Sequence, residues 1–509
     1  MSDPTLGTAP EARAATGWGV WLGVITGALG WLLVATALLR GGDYLALVVR
    51  LAFVMPLAAV GTLTAVASAG LGRRSSVGPV VWLAAIAAFG AVWNVLVYWV
   101  HFGGETWGLL VPLAKPTGFD FLYGLYRPAQ EWSTAQSGWP PLTLVLGKPF
   151  ALLPFGTAHA VQVVIICALA VASVALGAVL AARAAGAPGG LALTSPRVLP
   201  LALVGGLWLF TSAGFMYQVE RANIDFYALF FMLLAVWLML GRRSPWWPAL
   251  ALAVATDLKV YPGVLFALLF WRYRLRALLP ALVCGVALLL VVGPGAVADS
   301  VHGRLAWEAY REAYWWGNHS AAALGTVLHD TTAWAPSWLN WPLIVVPILL
   351  WLATLALLVR RGWSDRSAVL ATAACFPVMS VVPGTSHDYK LVICVVPLMV
   401  LVALLALLWR RGALAWASLF LGVAWAMVQL SRASLVIAPS FQNSKYFMIV
   451  LLQAVLLAVV VMTDNGTAVA VATGETTAVR PPSTPALGMP DGPDVTNVAP
   501  PDAAEEETT

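Results

Sequence analysis

Residues 242–276 read RRSPWWPALALAVATDLKVYPGVLFALLFWRYRLR. The apolar run inside this stretch, 247–271, has the length of a membrane crossing, but Asp257, Lys259 and Pro262 interrupt it. A hydrocarbon core of about 30 Å takes roughly 20 helical residues, and loops rich in Lys and Arg stay on the cytoplasmic side. Arg242 and Arg243 precede the run, and Arg272, Arg274 and Arg276 follow it. A single crossing would put those two clusters on opposite sides. The run therefore reads as a re-entrant hairpin, two short helices that meet at Lys259–Pro262 and return to the side they left. Broken helices at membrane depth persist only where protein or a water-filled cavity surrounds them, so the apex marks a site.

The rest of the chain agrees with a membrane setting. Of 509 residues, 61% are apolar and 10% charged, with a mean hydropathy of +0.84 and 25 Trp. A soluble domain carries about 25% charged residues, and Trp collects at membrane–water interfaces. Full-length apolar runs lie at 17–39, 48–71, 79–101, 158–182, 198–216, 223–240, 277–293, 342–359, 367–383, 389–409, 413–431 and 446–463. The fold class expected is an all-α polytopic membrane protein with about 12 transmembrane helices plus the re-entrant hairpin. Its parts are a short cytoplasmic N-terminal tail, 1–16, a multi-span domain, 17–463, with outer loops 102–157 and 294–341, and a tail, 464–509. The tail is net −7 against +12 for residues 1–463, and its Pro, Thr, Gly and Glu content predicts disorder. The first apolar run lacks a small-residue cleavage site and reads as a retained span.

Basic pairs at span ends (Arg73/Arg74, Arg183 with Arg197, Arg242/Arg243, Arg360/Arg361, Arg410/Arg411) set orientation and are no nucleic-acid footprint. They put both termini in the cytoplasm, with the Arg40–Arg50 connection as the one breach of the rule. Cys167, Cys284, Cys375 and Cys394 all lie in apolar runs without ligand spacing, so neither a disulfide nor a metal site is expected. The expected location is the plasma membrane.

The same parity collects polar, aromatic-rich segments on the outer face. Asp120 heads a run in which Phe121, Leu122, Leu125 and Tyr126 have helical spacing, an interfacial helix that would fix the carboxylate as a general base. Trp139-Pro140-Pro141 opens the stretch 142–156, which is broken by Lys148, Pro149 and Pro154. Glu220-Arg221-Ala222-Asn223-Ile224-Asp225 starts a span, where an unpaired carboxylate is costly. Lys259 at membrane depth costs about 2.5–3.5 kcal/mol on insertion scales; it is read as a cation held for a phosphate, or as the structural partner of Asp257. Trp315-Trp316-Gly317-Asn318-His319-Ser320 and Ser386-His387-Asp388-Tyr389-Lys390 complete the set. Asn318-His319-Ser320 also fits an N-glycosylation acceptor, a pattern common by chance.

Taken together these segments resemble the GT-C membrane glycosyltransferases, and most closely glycosyltransferase family eighty-seven. Its equivalents commonly read Tyr-Pro-Pro, Glu-Arg-Gly-Asn, Lys-x-Tyr-Pro and Asn-Gln-Ser, and order and spacing agree over roughly residues 100–400. This chain departs from the pattern at Trp139, Ala222 and His319. The resemblance implies transfer of a sugar, mannose or another hexose, from a polyprenyl-phosphate donor to a lipid-linked cell-envelope glycan on the outer face. Asp120 would be the base of an inverting displacement. Lys259, Arg221 and His387 would bind the donor phosphate. Tyr126, Trp139, Glu220, Asn223, Asp225, Tyr261, Trp315, Trp316, Asn318, His319, Asp388 and Tyr389 would line the substrates. No cofactor is expected, and a divalent metal is not indicated.

The partners expected are the donor, the glycan acceptor and the bilayer, without nucleic acid. The alternatives are an arabinofuranosyltransferase of the same type, an envelope polysaccharide polymerase using Arg304 and Arg311, and, from another class, a lipid-linked glycan transporter or flippase. A transporter should carry charge along a path through the bilayer, whereas here only Lys259 and its neighbours lie deep.

Overall fold

In a computed structural model the described residues are 10–39, 62, 83, 85–86, 88–90, 118–135, 137, 139–187, 195, 197–309, 318–331, 336–408, 414–431 and 445–472. Their regular structure is entirely helical, with no strand among them. Five helices among them are long and apolar enough to cross a membrane: Phe155–Ala184, Tyr261–Val292, Asn340–Arg360, Asp388–Leu405 and Lys445–Thr463. A sixth arises if Leu199–Phe210 and Ala213–Arg221 form one span. Shorter apolar helices cover Val24–Thr36, Leu142–Ala151, Asp225–Leu240 and Ser418–Ser431. The expected spans 48–71 and 79–101 lie almost wholly outside the described residues, as do Arg73, Arg74, Trp315, Trp316, Arg410 and Arg411.

Two boundaries differ from expectation. The run 198–216 is not one straight span, because its two helices meet at 64°. The hydroxyl of Ser212 accepts from the Phe215 N–H at 3.2 Å and starts a new helix in mid-run. The last helix, Lys445–Ala472, continues past Asp464, so the first residues of the acidic tail are helical. Two compact units divide at this point, Met1–Met462 and Thr463–Thr509, and the described part of the second is that helix end.

The core of the first unit is built around Asp365–Val381, buried from Ser367 to Val381, and Asp388–Leu405, buried over nearly its whole length. Phe155–Ala184 packs on the second of these helices and has small residues Gly177, Ala178, Ala181, Ala182 and Ala184 among its buried positions. In lipid, helices associate through close packing more than through burial of apolar area, and small side chains allow that approach.

The interrupted run forms a hairpin. Helix Trp246–Leu258 stops at Lys259, whose backbone is extended at φ −148°. A 3-10 turn, Tyr261–Leu265, and helix Phe266–Tyr273 follow. Tyr273 Oη donates to the Arg243 carbonyl at 2.7 Å, so the two ends of the run meet. Arg274 then turns the chain at φ 55° into Leu278–Val292.

The basic clusters converge at that end of the hairpin. Arg272 lies 5.2 Å over the Trp363 ring. Arg366 Nε donates to the Ala184 carbonyl at 2.8 Å, and Arg183 lies 3.9 Å from Asp365. The hairpin's apex points to the opposite end.

Candidate active site

Asp120 is fixed by two backbone reversals. Gly118 has φ +75°, and its N–H donates to the Glu220 carbonyl at 2.8 Å. An added Cβ there would lie 2.6 Å from the His159 ring, so glycine is required both for conformation and for space. Helix Ala213–Arg221 ends at Ala222, with φ 51° and ψ 42°, the left-handed region that is easiest for glycine. The reversal brings Asn223 back beside Arg221, and Gln218 Nε2 secures it by donating to the Asn223 carbonyl at 2.6 Å.

Both motifs then meet on one carboxylate. Asn223 Nδ2 donates to Asp120 Oδ2 at 2.8 Å, and Arg221 Nη1 lies 3.5 Å from Oδ1. The Asp120 side chain is 17% exposed and that of Arg221 7%, so the carboxylate is held from behind and still reachable. Asn223 is the close contact; the arginine supplies charge more than geometry. The carboxylate that Arg221 meets is thus Asp120, about a hundred positions away in the chain.

Aromatic rings carry the site further. Arg221 lies between Phe119, at 5.2 Å, and Tyr217, at 5.3 Å, and donates to Tyr217 Oη at 3.3 Å. Tyr217 touches Tyr389, ring centroids 5.3 Å apart. Tyr261 Oη donates to Asp225 Oδ1 at 2.8 Å, and Lys390 Nζ sits 5.1 Å over the Tyr261 ring. Asp225 is fully buried, and its Oδ2 has no hydrogen-bond partner among the described residues. Gln162 supports the turn from below, donating to the Ala222 carbonyl and accepting from Tyr227 Oη at 2.8 Å.

The hairpin apex reaches this cluster through Trp139. Lys259 Nζ lies 4.0 Å over the Trp139 ring, while Asp257 Oδ2 is buried without a hydrogen-bond partner among the described residues. Lys259 is thus held by an aromatic face, not by Asp257. The indole covers Gly124, in a π-helical turn, Leu122–Tyr126, that follows the Asp120 helix. Such turns are frequent at functional sites. A Cβ on Gly124 would stand 2.6 Å from the indole. Gly124→Ala should therefore displace Trp139 from Lys259 and cost about 1–3 kcal/mol by overpacking. A lower midpoint of thermal unfolding with altered tryptophan emission would show it, and an unchanged protein would contradict this packing.

Several expected substrate contacts have other roles. Tyr126 is 8% exposed, donates to the Leu153 carbonyl at 2.7 Å and packs on Phe121 and Phe155, so it is a packing residue that offers no free face for a sugar. Phe121 and Leu125 of the same run are fully buried in protein. Asn318 is also buried, and its Oδ1 accepts from the Ser386 N–H at 3.0 Å and the Ser320 N–H at 3.2 Å. That excludes the glycosylation reading for the folded state.

His319 N–H donates to the Ser386 carbonyl at 2.8 Å, and Ser320 Oγ to that of Gly384 at 2.8 Å. The segment 318–320 is therefore a staple for the loop 384–388.

The histidine beside Asp388 in space is His319, not its chain neighbour His387: His319 Nδ1 lies 3.6 Å from Asp388 Oδ1. Burial lowers the His319 pKa below the ordinary value against the opposing pull of Asp388, so the ring is neutral near pH 7. His387 is 6% exposed with its ring 5.6 Å from Tyr389.

Asp388 Oδ2 is 2.6 Å from Lys445 Nζ, a cation the motif reading passed over. Tyr217 was also missed, and Lys390, within the segment Ser386–Lys390, was given no role of its own. Lys445 opens an apolar span, Lys390 stands inside one, and Tyr217 precedes Arg221 by one helical turn. Among the described residues no three His, Cys, Asp or Glu side chains converge as metal ligands would.

The model of glycosyltransferase family 87 matches residues 139–384. This stretch belongs to glycosyltransferase family 87. The family 87 match contains Trp139, the 220–225 turn, the Lys259 apex and the 318–320 staple, and Asp120 lies just before it. The match supports a glycosyltransferase, and the described residues include helices long and apolar enough to cross a membrane. No curated protein and no solved structure gives a match.

Proposed function

We propose that this glycosyltransferase moves a sugar, mannose in the first instance, from a polyprenyl-phosphate donor to a lipid-linked glycan at the outer face of the plasma membrane. The observation that carries this reading is the partly open Asp120 carboxylate held by Asn223 and Arg221. The arginines gathered at the other end of the hairpin favour a cytoplasmic position for that end and an outer position for Asp120. On this reading the hairpin re-enters the membrane, about twelve spans surround it, both termini are cytoplasmic, and its apex meets the donor's phosphate at the outer rim.

The chemistry follows from the charges. Asp120 takes the proton of the acceptor hydroxyl as that oxygen attacks the anomeric carbon from the face opposite the phosphate. The C–O bond to the phosphate breaks, and the electron pair leaves on a polyprenyl monophosphate. One displacement inverts the anomeric centre. Lys259 and Arg221 stabilise the negative charge that develops on the departing phosphate, an effect largest in a site shielded from water. Asp225 and Tyr261 hold each other and keep the apex turn in register beside the base.

The test is a donor panel with purified protein in nanodiscs. Polyprenyl-phosphate mannose, polyprenyl-phosphate arabinofuranose and GDP-mannose are each offered with a lipid-glycan acceptor. Extension with polyprenyl-phosphate mannose alone is expected. Extension with the arabinofuranose donor would move the sugar assignment, and use of the nucleotide donor would overturn the proposal.

A further inference from the structure

The deepest charge pair described in the molecule lies outside the family 87 match. Lys445, the first residue of the last helix, is 1% exposed, and its Nζ is 2.6 Å from Asp388 Oδ2. Asp388 is 5% exposed and also lies 3.6 Å from the neutral His319. Taking two charges out of water is expensive, and the pair persists only with close geometry and further hydrogen bonds. An apolar pair would close the same helix ends at lower cost, so the charge has to be explained by what Asp388 holds.

Asp388 opens the 3-10 helix Asp388–Cys394. The next two residues, Tyr389 and Lys390, are those that enter the candidate site. Tyr389 packs on Tyr217, which Arg221 contacts, and Lys390 Nζ stands over Tyr261 while donating to the Thr385 carbonyl at 3.1 Å. Gly214 underlies the same segment so closely that a Cβ there would lie 2.8 Å from the Asp388 carbonyl oxygen. A shift of Asp388 therefore moves Tyr389 and Lys390 together.

We propose that Lys445 is a positioning residue: through Asp388 it sets Tyr389 and Lys390 in the site, and Lys390 is a further cation for the donor's phosphate. This rests on the polyprenyl-phosphate reading above. A phosphate entering between Lys259 and Arg221 then meets a third positive group, one the pair Lys445–Asp388 keeps from turning away.

The experiment measures binding of polyprenyl monophosphate to purified protein in nanodiscs, with transfer kinetics alongside. The variants are Lys390→Ala, Lys445→Arg, Lys445→Met and the double variant Lys445→Met/Asp388→Asn. The double variant removes both charges at once and so avoids a lone buried ion that would unfold the protein. It is compared with wild type only where its unfolding midpoint matches; otherwise Lys390→Ala decides.

The expected result is at least about tenfold weaker binding in Lys390→Ala and in the double variant, the effect of losing one charge-assisted contact. Donor KM should rise while acceptor KM stays unchanged, and Lys445→Arg should recover most of the affinity. Wild-type binding in Lys390→Ala or in a stably folded double variant would overturn the inference, as would an equal rise of both KM values. Failure of wild type itself to bind polyprenyl monophosphate would instead defeat the donor reading on which the inference rests.

Discussion

Asp120→Asn should leave a folded protein that binds donor and acceptor normally and turns over roughly 10³-fold more slowly, within the range a positioned general base contributes. The substitution keeps shape and volume. The amide oxygen can still accept from Asn223, at the 2.8 Å the carboxylate now has, while the amide nitrogen takes the place of the oxygen that lies 3.5 Å from Arg221. What it loses is the ability to take a proton. The loss should therefore fall on kcat, with both KM values within about threefold of wild type, as expected for an interaction needed only in the transition state. Single-turnover measurements on the purified variant check this. Near-normal turnover would remove Asp120 from the chemistry and leave its contacts as a structural joint between the 118–121 and 220–223 turns.

Lys259→Ala is the second large effect. Its Nζ, 4.0 Å from the Trp139 ring, has a cation–π contact of about 0.5–2 kcal/mol that holds it in place without neutralising it. A carboxylate partner would have spent that charge; the aromatic face leaves it for a phosphate. Removing a preorganised group of this kind typically costs about 10²–10³ in kcat, and donor KM should rise as well. Lys259→Arg should recover part of the rate. Stability should change little, because Lys259 is only half-buried and its loss leaves no buried charge behind. Full activity in Lys259→Ala would make the apex a structural turn.

How much of this was readable in the chain itself depends on the range of the contact. The hairpin was legible because its signals are local: arginines at both ends, and a Lys and Pro in the middle of one apolar run. The Tyr273–Arg243 hydrogen bond is the closure those flanks demand. The bend at Ser212 was not legible, since a Ser within an apolar span usually bonds back to its own helix and only the geometry shows it capping the next.

The site divides in the same way. Asp120, Arg221 and Asn223 could be named as motifs, but nothing local states that residues about a hundred positions apart share a carboxylate. Adjacency in the chain does not name the partners of Asp388, which include His319 and Lys445, far from it in sequence. Tyr126 was expected to line the substrates, whereas it packs on Phe121 and Phe155 and donates to the Leu153 carbonyl.

The measurement that tests the central claim most directly follows polyprenyl monophosphate and glycan together in a sealed proteoliposome holding the wild-type protein. Glycosyl transfer from a polyprenyl-phosphate sugar must release one polyprenyl monophosphate for every sugar added to the acceptor, with inverted configuration at the new anomeric centre. Equal time courses for the two products, both lost in Asp120→Asn, are the predicted result. Passage of the intact donor across the bilayer without release of polyprenyl monophosphate would contradict it and point to a transporter.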